Sequence, residues 1–156
     1  MPVRILRLAV VPLMVALAVA AVAAPAAAKS KKPVKLSGSV NNKGIGTATS
    51  GQAQIELDNF FFKKTFLKAT AGTVTVQLEN GGSVPHTFTI DAQNIDETLQ
   101  PGDTKSVTVN VTAGKPTAFY CRFHKGQGMQ GAFFTKAGAV ANNGTKSSPG
   151  SGSYGY

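Results

Sequence analysis

Past residue 28 the chain contains one cysteine, two histidines and one methionine, and Cys121, His124 and Met129 fall in a single short run, Tyr120-Cys-Arg-Phe-His-Lys-Gly-Gln-Gly-Met129. The remaining histidine, His86, lies far upstream after Val84-Pro85. Three of the four thus lie on one short turn, while His86 arrives from 35 residues upstream of Cys121. A thiolate and two imidazoles in a trigonal arrangement, with a weak thioether on the axis, suit both copper(I) and copper(II). Taken singly each residue has a bland explanation: a strand histidine, a small buried cysteine, a methionine filling the core. A chain otherwise empty of these side chains makes their joint occurrence hard to ascribe to packing. Structural zinc uses four strong N, S or O donors and does not recruit a thioether, so copper is the expected ion. A copper enzyme with a second centre for oxygen or nitrite chemistry would need several more histidines, so no enzymatic activity is expected.

An odd cysteine in an exported chain calls for a reason, and a metal ligand is the one its neighbours select. Export is read from residues 1–28: Arg4 and Arg7 open them, an apolar stretch follows from Leu8 to about Ala24, and Ala26-Ala27-Ala28 offers a small-x-small cleavage site. The rival reading, an uncleaved anchor, is disfavoured by the abundance of alanine and by Pro12. A periplasmic or extracellular location is expected, with no stable membrane insertion after cleavage. The remainder is the length of one domain. Of the 16 Lys and Arg, two lie in the leader, leaving 14 against 7 acids and a balance of +7. Such a field favours acidic partners or anionic surfaces, or serves mainly to keep the domain soluble. The basic residues are scattered rather than clustered with stacking aromatics, so nucleic-acid binding is not expected. A monomer is expected.

From Val34 to Lys136, short alternating runs rich in Val, Thr and Phe are broken by Gly, Asn, Asp and Pro, the pattern of an all-β sandwich without a helix of any length. Strands are predicted over 73–79, 86–90 and 104–112 from their period-two alternation. Further strands are expected over 34–40, 52–57, 117–121 and 130–136, with 91–99 irregular or a helical turn. Alternation through Phe60-Phe61-Phe62 would send Phe60 and Phe62 one way and Phe61 the other, packing part of the triplet into the core or exposing a docking patch. Organisation is expected as a leader (1–28), a basic N-terminal segment with the first strand (29–50), a copper-binding domain (51–138, the fold beginning near 34) and a flexible Gly/Ser/Asn tail (139–156). Gly126, Gly128 and Gly131 are expected to supply the backbone freedom that folds the ligand loop back on itself.

The segment from about Gln52 to Lys136 resembles the cupredoxins, the small blue-copper proteins of the plastocyanin and azurin kind. The resemblance rests on Asn59-Phe-Phe-Phe, Ala71-Gly-Thr-Val-Thr-Val-Gln-Leu-Glu-Asn80, Val84-Pro-His-Thr-Phe88, Leu99-Gln-Pro-Gly-Asp103, Tyr120-Cys-Arg-Phe-His124 and Gly128-Met-Gln-Gly131, with the Cys-x2-His-x4-Met spacing typical of plastocyanins. It implies a Greek-key sandwich holding one type 1 copper, with His86, Cys121 and His124 as equatorial ligands and Met129 axial. It further implies supporting roles for Pro85 and for Thr87, whose backbone N–H would face the thiolate where plastocyanins carry Asn. Arg122 departs from the family by placing a positive charge near the metal. Electrons would leave through the His124 ring edge or laterally through Tyr120. The function implied is one-electron transfer between redox proteins; the alternatives are extracytoplasmic copper storage or delivery, for which exchangeable Met-rich and His-rich sites would be expected, and an adhesive module with a vestigial site.

Overall fold

The computed structural model describes residues 32–141, so the predicted leader and most of the predicted tail lie outside the described residues. The described residues form twelve strands: β1 (Val34–Lys35), β2 (Ile45–Thr47), β3 (Gln52–Asp58), β4 (Phe61–Lys63), β5 (Phe66–Lys68), β6 (Gly72–Asn80), β7 (His86–Ile90), β8 (Ile95–Leu99), β9 (Thr104–Val111), β10 (Thr117–Tyr120), β11 (Gln130–Phe134) and β12 (Ala139–Val140). The only helical turns among the described residues are two 3-10 segments, Asp91–Gln93 and Lys125–Gln127. None of those residues forms a helix long and apolar enough to cross a membrane.

A six-stranded sheet in the order β2-β5-β11-β10-β7-β8 packs on a four-stranded sheet in the order β4-β3-β6-β9, with β1 and β12 paired separately. This is the all-β, Greek-key sandwich predicted. Alternation explains the second sheet directly: Val74, Val76 and Leu78 of β6 are buried while Thr73, Thr75, Gln77 and Glu79 face outward, and β9 pairs with β6 along its whole length. Between the sheets, Phe119 stands 5.0, 5.1 and 5.4 Å from the rings of Phe62, Phe88 and Phe133. A smaller cluster of Val34, Phe66, Ala132, Phe134 and Ala141 forms a second apolar contact zone. Strand β7 runs antiparallel to its neighbour β10, so the start of one and the end of the other meet at the same end of the sandwich. That geometry carries His86 to Cys121.

Three local expectations need correction. The 91–99 segment is a 3-10 turn followed by strand β8, because Asn94 takes a left-handed conformation (φ 53°) that redirects the chain into pairing with β7. Only Val34–Lys35 of the predicted 34–40 strand is a strand; the following residues cross toward the ligand loop instead. Phe60 has φ 69°, which breaks alternation: Phe62 enters the core while Phe60 remains exposed. The short strands β2, β4, β5 and β12 carry too few residues to register as periodic runs, and they went unpredicted.

Candidate metal centre

His86 opens β7, Cys121 directly follows β10, and His124 and Met129 lie on the turn that leads into β11. The turn is built by successive backbone bonds. The amide of His124 donates to Cys121 O (3.2 Å), that of Gln127 to His124 O (3.0 Å) and that of Gly128 to Lys125 O (3.0 Å). Gly128 then takes φ 91°, which lets the chain return so that the amide of Cys121 donates to Met129 O (3.0 Å). Gly126 and Gly131 do not act as expected. Gly126 shows no such φ, and Gly131 is required for space: a Cβ there would stand 2.1 Å from Thr65 O.

The donors converge. His86 Nδ1 and His124 Nδ1 are 3.1 Å apart, and Cys121 Sγ lies 3.8 Å from the first and 3.4 Å from the second. Nitrogen and sulfur donors sharing one ion at bond lengths of about 2.0–2.3 Å necessarily stand roughly 3–4 Å from one another. Two imidazole nitrogens and a sulfur aimed at a common point are satisfied only by shared protons or a cation. His86, Cys121 and Met129 are all 0% exposed, and Met129 belongs to the same core cluster as Cys121. The donor set therefore fits one type 1 copper ion, with the thiolate and imidazoles offering the strong bonds and a thioether from the same turn available beside them.

Packing and hydrogen bonds hold the donors in place. The Thr87 amide points at Cys121 Sγ (3.3 Å), as the resemblance implied, and the Thr87 hydroxyl accepts from the Arg122 amide (2.7 Å), so one residue grips both sides of the cysteine. The loop entering β7 is pinned by Asn80, whose side-chain amide donates to Val84 O (2.9 Å) and Leu99 O (3.0 Å). Pro85 lies exposed just ahead of β7, and its ring biases Val84 toward extended backbone. His86 Nε2 is buried with no hydrogen-bond partner among the described residues, and a side chain at Gly82 would stand 3.0 Å from it. Glycine at 82 therefore leaves room for the His86 ring, which a larger residue there would crowd.

Asn41 was not predicted. Its side-chain amide donates to Phe60 O (2.7 Å) and Gln127 O (2.8 Å), its backbone amide donates to Gly128 O (2.8 Å), and Gln130 Nε2 reaches back to Ser37 O (2.8 Å) and Ser39 O (2.6 Å). The segment after β1 is therefore a strap across the ligand loop. Neither residue type advertises such a role in sequence.

His124 is only partly buried, and its ring is flanked by Phe60 at 4.7 Å and Phe123 at 6.2 Å. Both phenylalanines are exposed, at 38% and 50%. Tyr120, by contrast, is engaged. Its hydroxyl donates to Asp91 Oδ1 (2.8 Å), Lys125 Nζ sits 4.0 Å above its ring, and burial together with the Asp91 bond pushes its pKa up to about 12.

Burial holds the His86 pKa below the usual 6.5, aided by the neighbouring His124 and opposed by Asp58; burial also lowers His124. The unfolded chain then binds more protons than the folded one just below 6.5, so this contribution to stability is whole above that value and is lost as pH falls through the depressed folded values. The metal-free protein should show a lower urea midpoint at about pH 5 than at about pH 7.5. Substituting both histidines by glutamine should remove that part of the difference; a midpoint that rises on acidification would contradict the sign.

A family profile described as "Cupredoxin-like domain" matches residues 12–133. No curated protein sequence matches the chain. Among solved structures, it is similar to an auracyanin from Roseiflexus castenholzii (19% identity, TM-score 0.47, covering 60% of this chain and 98% of that one). It is also similar to a purple cupredoxin from Nitrosopumilus maritimus (25% identity, TM-score 0.40, 57% and 99% covered). A third is the metal-binding domain of the Cu(I) exporting P-type ATPase CopA of Streptococcus pneumoniae (11% identity, TM-score 0.48, 65% and 99% covered).

Proposed function

Because the chain belongs to the cupredoxin-like family and its donors fit one copper ion, we propose that it is an exported one-electron carrier, held by His86, Cys121, His124 and Met129 around that ion. A bound copper would supply the Cu(I)/Cu(II) couple. The observation that carries the reading is the juxtaposition of donors 3.1–3.8 Å apart in a buried pocket with an imidazole reaching an apolar rim. Cys121 and the two imidazoles satisfy both oxidation states, and burial of Cys121 and Met129 excludes water from them. The Thr87 amide directs its hydrogen at the thiolate. His124 offers the path outward between Phe60 and Phe123, while Lys125 and Asp91 occupy the ring face and hydroxyl of Tyr120. Acidic redox proteins suit the basic surface as partners, and cleavage after Ala28 with delivery to the periplasm or outside the cell suits the leader. No substrate chemistry is assigned to the site.

The test is to express the full chain with its leader in an exporting host, add copper(II) to the recovered protein with its thiol reduced, and record visible and electron paramagnetic resonance spectra. An intense blue thiolate-to-copper band that bleaches reversibly supports the carrier. A colourless protein, or one with weak copper bands alone, sinks it and brings copper storage or delivery forward. Met129→Leu discriminates further: a carrier keeps its copper while the ratio of Cu(I) to Cu(II) affinity rises about tenfold, roughly 59 mV in potential. A large fall in affinity without a shift in potential would favour delivery.

A further inference from the structure

Behind the cysteine, on the side away from the aromatic core, four residues form a closed ring. The Arg122 amide donates to the Thr87 hydroxyl (2.7 Å), the two hydroxyls of Thr87 and Thr89 are 3.0 Å apart, and Thr89 donates to Asp96 Oδ1 (2.8 Å). The other oxygen of Asp96 pairs with the Arg122 guanidinium, which returns the ring to its start. Proton directions follow from the chemistry. A carboxylate accepts, so the single Thr89 hydroxyl proton is committed to Asp96, and the Thr87 hydroxyl must donate to Thr89. Each hydroxyl then accepts once and donates once, so Arg122 donates at both ends of the relay, through its amide and its guanidinium, and Asp96 accepts at both of its oxygens.

We propose that Thr89 and Asp96 are positioning residues for the Cys121 thiolate, closing a ring of hydrogen bonds that fixes Thr87 and so holds its amide on the sulfur. Strand geometry places them for this: Thr87 and Thr89 are two apart on one face of β7, and Asp96 is the β8 partner of Thr89. Both threonines are buried, at 0% and 3% exposure, where an unpaired hydroxyl is penalised, so the orientation has no competing solvent arrangement. The Arg122–Asp96 pair is half-exposed and contributes little to stability as an ion pair. Its contribution here is direction: it ties Arg122, the residue after Cys121, to the strand pair that carries Thr87 and Thr89. The inference deepens the proposed electron-transfer reading of the same site, since hydrogen bonding around the cysteine sulfur tunes the potential of such centres.

The test has one arm that needs no copper. In the metal-free full-length protein, Thr89→Val and Asp96→Ala should each speed amide hydrogen exchange at Arg122 and Thr87 by up to about tenfold, the loss of one hydrogen bond's net contribution, beyond any change at the Val76 amide, which monitors global opening. Glu97→Gln, which breaks the comparably exposed Lys105–Glu97 pair on the same strand, should leave all these amides unaltered. In the copper-loaded protein, Thr89→Val should weaken the amide's hold on the thiolate and lower the Cu(I) to Cu(II) affinity ratio up to about tenfold, or about 59 mV. Unchanged exchange at Arg122 and Thr87 in both variants, or equal changes in Glu97→Gln, would overturn the ring. If the unaltered protein gives no blue centre while exchange responds as expected, the ring stands and the electron-transfer reading falls.

Discussion

Cys121→Ser is expected to abolish the intense visible band and to weaken copper binding by at least about 100-fold, because removal of a partner one step further out already costs about 10–100-fold. The band arises from the thiolate itself, which an alcohol oxygen cannot replace. The imidazoles of His86 and His124 remain 3.1 Å apart and still bind copper(II), so the variant should show weak bands rather than none. The fold should survive, since a serine hydroxyl at 121 meets the Thr87 amide and, at worst, leaves one buried group unpaired, about 1–3 kcal/mol. Competition titration with a copper chelator, alongside the absorption spectrum, provides the check. An undiminished band in this variant would remove Cys121 from the site.

Gly131→Ala is expected to be the most damaging small substitution outside the donors. The added methyl would stand 2.1 Å from Thr65 O and 2.6 Å from the Phe119 ring. One obstacle is backbone, and that carbonyl accepts the Ala132 amide at 3.1 Å, a bond that ties β11 to the residue preceding β5. The other is the ring at the centre of the aromatic cluster. Neither yields cheaply, so the loss should reach or exceed the upper end of the roughly 1–3 kcal/mol typical of overpacking. Urea unfolding of the metal-free protein measures it; a midpoint equal to that of the unaltered protein would mean that β11 can move away from Thr65 without penalty.

What the sequence disclosed follows from which interactions are local. Strands β6 and β9 were legible because each has one face on the core, so burial writes itself into alternate residues. The donors were legible because cysteine, histidine and methionine are so scarce past the leader that their spacing stood out. Strand β8 was not legible: only Leu99 is fully buried in Ile-Asp-Glu-Thr-Leu, and the strand is defined by its pairing with β7. Phe60 misled for a different reason, since a left-handed φ at a bulky residue is imposed by surrounding structure rather than encoded in a turn residue. Thr89, Asp96 and Asn41 are ordinary polar residues whose roles exist only after distant segments meet.

Asn41 also bears on the order in which the protein matures. Its bond to Gln127 O spans 86 positions of sequence. A chain made from its N terminus therefore holds Asn41 without that acceptor through most of synthesis. Contacts of such separation carry a large loop-closure penalty and form late. The turn bearing His124 and Met129 is thus expected to be fastened late. Metal acquisition is expected to follow chain completion rather than guide it, and an early-captured ion would be bound by an unfastened loop from which it can exchange.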